Sequence, residues 1–202
     1  QEKEFVNLKL DWLIENNRLD LIENFLKQNK EFNGKKRAVQ YLVDSNIAKS
    51  NIKEGCEKIE FIDSTIKDAY LEKFKIYCLV FNNKNSEAQL LLDLLREQNQ
   101  SDKFFDDKIN FLLGITETTN QKILDDNLLN FYFSHITSEN FQYEPQDKTD
   151  KYIWKYLSSA NLIQVNNFED ESIISTYEQA AMQNSFDKDE IFKIYLRINF
   201  NF

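Results

Sequence analysis

Glycine and proline are nearly missing from these 202 residues: three Gly (Gly34, Gly55, Gly114) and one Pro (Pro145) are all there are. All-β folds and phosphate-cradling loops both lean on glycine, whose missing Cβ admits positive φ, so both are excluded. Histidine is as scarce as proline. His135 stands alone, which rules out a His-rich zinc site. The two cysteines, Cys56 and Cys78, form no C-x-x-C, so a redox role is not expected. Arginine occurs only at Arg18, Arg37, Arg96 and Arg197, and 34 acidic residues outnumber 25 basic ones for a formal net charge of −9. An acidic, arginine-poor surface repels phosphate backbones, so nucleic acid is not an expected partner. No stretch approaches the roughly 20 apolar residues of a membrane helix. The densest run, Leu90 to Leu95, is interrupted by Asp93. Neither an initiator Met nor a signal peptide opens the chain at Gln1, so the expectation is a trimmed start and a longer parent protein.

What is present is apolar and aromatic: 42% hydrophobic residues and 14% Phe, Trp and Tyr, too much for a disordered chain. Its period is helical nearly throughout. Ser86 with Gln89 fits a capping box, and Ala88, Leu91, Leu92 and Leu95 follow at i, i+3, i+4, i+7. Ser101 then reads as the N-cap of a helix carrying Phe105, Ile109, Leu112 and Leu113, with Gly114 at its left-handed C-cap. Asp20 with Glu23, Gly34, Asp63 and Thr149 mark further helix starts. Asp187 with Glu190 caps a last helix presenting Ile191, Ile194, Tyr195 and Ile198. Ile123 to Ile136 is still helical in pattern, whereas Pro145 bars helix and predicts a loop at 137–148.

Roughly ten or eleven short helices result, with stripes wide enough to be covered on two sides. The predicted fold class is all-α, an α-α superhelix. In it, short antiparallel hairpins of about 30–40 residues stack into a right-handed solenoid. Residues 1–202 form a single helical-repeat domain, with 137–148 as the place for any break between arms. The hairpins around Leu19–Gln28 and Ala88–Gly114 resemble the tetratricopeptide-like helical-repeat class. They are also similar to the non-catalytic superhelical segment of bacterial soluble lytic transglycosylases. The run Leu90 to Gln98 resembles exported helical proteins of bacteria to which no activity is attached. The tetratricopeptide consensus wants Gly, then Ala, and a closing Pro. None of these is placed that way here, so no functional residue carries over.

Any Ser–His–Asp or Cys–His chemistry has to pass through His135, which follows Phe131-Tyr132-Phe133-Ser134 and reads as a packing residue. Cys56 shares a stripe with Ile52 and Ile59, and Cys78 with Tyr70, Phe74, Tyr77 and Phe81, on consecutive predicted helices. Two readings stay open: a disulfide worth about 3 kcal/mol of loop closure if the protein is exported, or two buried thiols. The carboxylates at Asp106-Asp107, Asp125-Asp126, Glu169-Asp170-Glu171 and Asp187/Asp189/Glu190 read as caps and solvated faces. Neighbours on a helix diverge by about 100°, which presets no acid–base pair. Trp12, Tyr152, Trp154 and Tyr156, with Phe131 to Phe133, are either cement between hairpins or the lining of a groove for peptide or glycan. No catalytic residue, cofactor or metal is expected. The functional expectation is a non-enzymatic helical-repeat scaffold that binds a protein or peptide partner. The alternative is an accessory helical domain of a larger cell-envelope enzyme acting on peptidoglycan. A periplasmic or exported location is expected, otherwise a cytoplasmic one, and the oligomeric state is left open.

Overall fold

The computed structural model describes residues 2–29, 32–63, 65–163, 171–183, 185 and 188–196. These contain eleven α-helices, one 3-10 turn and no strand, so the chain is all-α. The helices are α1 (Glu2–Glu15), α2 (Leu19–Gln28), α3 (Lys35–Ala48), α4 (Ile52–Glu57), α5 (Ala69–Phe81), α6 (Asn85–Glu97), α7 (Lys103–Leu112), α8 (Leu128–Ile136), α9 (Lys151–Ser159), α10 (Glu171–Met182) and α11 (Lys188–Tyr195). The 3-10 turn is Lys58–Phe61, directly after α4. The chain divides into two compact units, Gln1–Asn46 with Ile52–Asn120, and Ile47–Asn51 with Gln121–Phe202. The loop at 137–148 lies within the second unit.

Scarce glycine does not leave the helices without stop signals, because asparagine takes over its role. Asn17, Asn83, Asn99 and Asn161 have φ of 52°, 59°, 54° and 53°, the left-handed conformation in which asparagine is the best tolerated residue after glycine. Each lies two residues past its helix, as do Ser50 (φ 57°) after α3 and Gly114 (φ 73°) after α7. After α5, Lys84 N–H donates to the Leu79 carbonyl at 2.8 Å and Asn83 N–H to that of Val80 at 2.9 Å, the paired bonds of a Schellman motif. The same pair recurs after α7, from Ile115 to Asn110 and from Gly114 to Phe111, both at 2.9 Å. Last-turn carbonyls that would otherwise be orphaned are thereby satisfied, and the chain reverses within three residues.

Helix starts depart by a few residues from the pattern reading. Asp102, not Ser101, caps α7 by accepting from Phe105 N–H at 2.9 Å, and Ser101 donates its hydroxyl to Asp106 at 2.6 Å. Asp68, not Asp63, caps α5 through Leu71 N–H at 3.1 Å. Asp150 caps α9 through Tyr152 N–H at 2.7 Å, one residue past Thr149. Lys84 and Arg18 hold the cap positions of α6 and α2 without a side-chain bond, so neither Ser86 nor Asp20 caps. Asp187 and Ile198 lie outside the described residues. The larger departure is Ile123 to Leu128. Helix begins only at Leu128, where Asn127 accepts from Asn130 N–H at 2.9 Å. Leu124 N–H is diverted to the Ser134 hydroxyl at 3.0 Å, a bond that holds the approach to α8 out of helical geometry.

The core of the first unit is aliphatic with aromatic plugs. Ile22, Leu42, Leu71, Phe74, Ile76, Leu92, Phe105 and Ile109 are all at 0–1% exposure. In the second unit Phe131 and Phe133 are fully buried, and Trp154 packs with Tyr177, Ala180 and Ala181. Fully burying one such large side chain stabilises a fold by about 1.5–3 kcal/mol, which is why the wide apolar stripes decide the helix packing.

Candidate functional site: a leucine-floored groove on the α5–α6 hairpin

The six residues Leu90 to Leu95 meet three different environments once α6 is docked. Leu92 and Leu95 are buried at 0% and 3% exposure, the first against α5 in the hairpin, whereas Leu90 and Leu94 stay 63% and 41% exposed. Leu91, Leu94 and Leu95 share a face at i, i+3, i+4. With buried Ile66 they floor a groove of about 690 Å³ inside the first unit. Lys67, Glu72 and Lys75 line it from the α5 side, and the amides of Gln98 and Gln100 line it beyond the leucines. A volume in the range of about 300–1,000 Å³, apolar below and polar at the rim, is that of a ligand cleft.

Asp63, Ile66 and Lys67 line one wall of the groove from outside any helix, so other contacts hold them in place. Asp63 accepts from Thr65 N–H at 3.0 Å and from the Lys35 ammonium. Lys35 is the main reason that the Asp63 carboxyl is held down to about 2, with the Thr65 hydroxyl next. Lys75 donates to the Ile62 carbonyl at 3.3 Å. The segment is also spanned by a disulfide: Cys56 in α4 is bonded to Cys78 in α5, their Cα atoms 5.2 Å apart, and both residues are buried. Six residues of α4 are too few to hold a helix alone. Gly55 there comes so close that a Cβ would meet Phe74 Cζ at 3.4 Å and Asn46 Cβ at 3.2 Å.

Trp12 is 53% exposed on α1 in the first unit, while Tyr152, Trp154 and Tyr156 belong to α9 in the second. Trp154 and Tyr156 are each only 2% exposed, so they are core and present no ring to a ligand. The physical reason is the width of the α9 stripe: Ile153, Trp154, Tyr156 and Leu157 are all buried, covering more than one face. Tyr152 is half-buried, with the Lys151 and Lys155 ammonium groups 5.3 and 5.9 Å from its ring centroid.

His135 Nδ1 lies 2.6 Å from the Tyr156 hydroxyl, and its ring meets that of Phe141 edge-on at 4.9 Å. Burial pushes its pKa below the ordinary histidine value. The carboxylates of the pattern reading serve the fold. Asp106 receives Arg96 at 3.1 Å, Asp107 receives the Asn120 amide at 3.1 Å, and Asp125 receives the Tyr143 hydroxyl at 2.7 Å. Glu169, Asp170 and Asp187 lie outside the described residues. Among the described residues no three of His, Cys, Asp and Glu gather as a metal site would need. A smaller cavity of about 310 Å³ in the second unit lies between Pro145 and Ile173. There Thr176 donates to Asp147 at 3.2 Å.

One buried group had no signal in the sequence pattern. Lys108 in α7 is fully buried, its ammonium donating to the Asn120 carbonyl at 2.6 Å and lying 5.3 Å from the Phe104 ring centroid. Burial lowers its pKa, and nearby Asp107 opposes that shift.

No protein-family model, curated protein or solved structure matches the chain. The all-helical architecture is compatible with a helical superhelix, and no family match carries the likeness to tetratricopeptide repeats or lytic transglycosylases any further. No described helix is long and apolar enough to cross a membrane.

Proposed function

We propose that this chain is a non-enzymatic helical-repeat module that binds a protein or peptide partner in the α5–α6 groove. The observation that supports the reading is the exposure of Leu90 and Leu94 beside a leucine-floored cleft of about 690 Å³. Contiguous apolar surface in a concavity is what partner and ligand sites use, and Leu90 and Leu94 extend the leucine floor outward. Hairpins that reverse within three residues, as between α5 and α6, are the units from which stacked helical arrays are built. The disulfide favours a periplasmic or exported location, since such bonds persist in oxidising compartments. That location is also the one an accessory domain of an envelope enzyme would require.

The test is peptide selection on the immobilised native chain, counter-selected on Leu94→Glu. Leu94 is 41% exposed, so glutamate is tolerated by the fold there. Peptides kept by the native chain and released by the variant support the groove. Peptides held equally by both place binding elsewhere.

A further inference from the structure

The proposed function leaves the partner's form open, and the groove itself narrows it. We propose that the occupant is an amphipathic helix of a partner protein, with lysine or arginine along the edge that faces α6. This rests on the groove reading above and specifies what fills it.

Backbone accounting supplies the first half of the argument. An extended peptide buried against protein must find partners for its own N–H and C=O groups, usually at an open sheet edge. The described residues contain no strand, and the floor of the groove is made of leucine and isoleucine side chains. A helix satisfies its backbone internally and presents only side chains, so it docks on such a floor without orphaned polar groups.

Charge supplies the second half. Glu87, Leu90, Leu94 and Glu97 fall at i, i+3, i+7, i+10 along the exposed edge of α6, with exposed Asp93 beside them. Ten residues at about 1.5 Å each set the two glutamates about 15 Å apart, the length of a helix of some three turns. Glu87 pairs with exposed Lys84 at 3.6 Å, and Asp93 with Arg96 at 3.1 Å, a half-buried arginine that also serves Asp106 and Asn110. The exposed Lys84 pair exchanges readily for a better cation. The other wall leans the opposite way. Asp63 is matched by Lys35 and Asp68 by Lys36, which leaves Lys67 and Lys75 against Glu72. The charged residues that line the groove itself are Asp63, Lys67, Glu72 and Lys75. Glu87 and Glu97 stand outside the lining on the same exposed stripe of α6 as Leu94, so an amphipathic helix with a basic edge has one preferred way to lie there. A second copy of this chain, with its net charge of −9, fits that acidic edge poorly.

The experiment uses two synthetic helical peptides with the same leucine stripe at i, i+3, i+4, i+7, one with lysine and one with glutamate along the flanking edge. Binding to the full chain is read by fluorescence anisotropy, with sedimentation to report self-association. The lysine-edged peptide binds the native chain and loses at least about tenfold in affinity on Leu94→Glu. That variant adds an anion, so a peptide held by charge alone binds it more tightly instead. Glu87→Lys with Glu97→Lys reverses the preference to the glutamate-edged peptide. Leu90→Glu, at a 63% exposed position, repeats the test should Leu94→Glu lose its helical circular dichroism. If the native chain prefers the glutamate-edged peptide and Leu94→Glu abolishes that binding, the groove reading stands and the basic edge is wrong. If neither peptide binds, or binding ignores Leu94, both are overturned. Self-association abolished by Leu94→Glu makes a second copy the occupant and overturns the partner helix.

Discussion

Replacing Lys108 by methionine isolates the one fully buried cation of the described residues. Methionine keeps much of the length of the side chain and removes its charge. Two contributions then act against the variant: the Asn120 carbonyl loses the donor it holds at 2.6 Å, and the Phe104 ring loses its cation. A lost hydrogen bond from a charged donor costs about 1.5–3 kcal/mol and the ring contact about 1. One contribution acts for it, because an ammonium held out of water carries a desolvation cost that a thioether does not. The opposing effects leave a net loss of about 1–2 kcal/mol near neutral pH, and pH separates them. Burial lowers the Lys108 pKa in the folded chain below that in the unfolded chain. Between the two values the unfolded state binds more protons, so the native protein gains stability as pH rises through that window. The methionine variant has no such gain, and its deficit widens on going from about pH 8 to about pH 10. Tyr143 and Tyr177, both pushed up to about 12 by burial, weaken both proteins alike above the ordinary tyrosine range and cancel in the difference. Urea denaturation followed by far-ultraviolet circular dichroism, at three pH values, gives the midpoints needed. A deficit that stays flat or shrinks as pH rises refutes the assignment of Lys108 as a desolvated cation.

Unreduced protein titrated with a thiol reagent under denaturing conditions releases no thiol. Reduction lowers its stability by about 3 kcal/mol, the closure entropy of a loop with sequence separation 22. Two free thiols on titration remove both the clamp and its support for export. His135 has a depressed folded pKa, so the unfolded chain binds a proton first and stability falls as pH drops below the ordinary histidine value. His135→Gln flattens that fall between about pH 7 and pH 5, and an unchanged slope would falsify the burial account. At Asn83, with φ of 59°, alanine lowers stability by about 1 kcal/mol, whereas glycine holds or raises it. Equal thermal midpoints for the two variants mean that the left-handed cap after α5 contributes nothing.

Apolar spacing made the helices legible, because burial of a stripe is a local pattern with a global consequence. Ala88, Leu92 and Leu95 end in the core as their spacing requires, and Gly114 ends α7. Helix ends were harder to read. Asparagine is abundant, so Asn17, Asn83, Asn99 and Asn161 do not stand out by type. Only their shared place two residues beyond a helix shows that they do glycine's work. Asp63 and Asp68 are indistinguishable as caps in the sequence. Asp68 wins α5 because Lys35, 28 residues upstream of Asp63, holds that carboxylate in the turn. The groove is a property of the same kind. A helical wheel assigns Leu90, Leu91 and Leu94 to α6 but cannot say which neighbour covers them. That depends on a wall that includes Asp63, Ile66 and Lys67, held by a disulfide, a lysine on α3 and a lysine on α5. Lys108 makes the point from the other side. Nothing in its sequence neighbourhood separates it from an exposed lysine, and the return of the chain at Asn120 supplies the carbonyl that receives its ammonium. The proposed binding surface therefore lies where distant segments decide what a helix face meets, and on that proposal cutting the Cys56–Cys78 clamp blunts peptide binding before it unfolds α5 or α6.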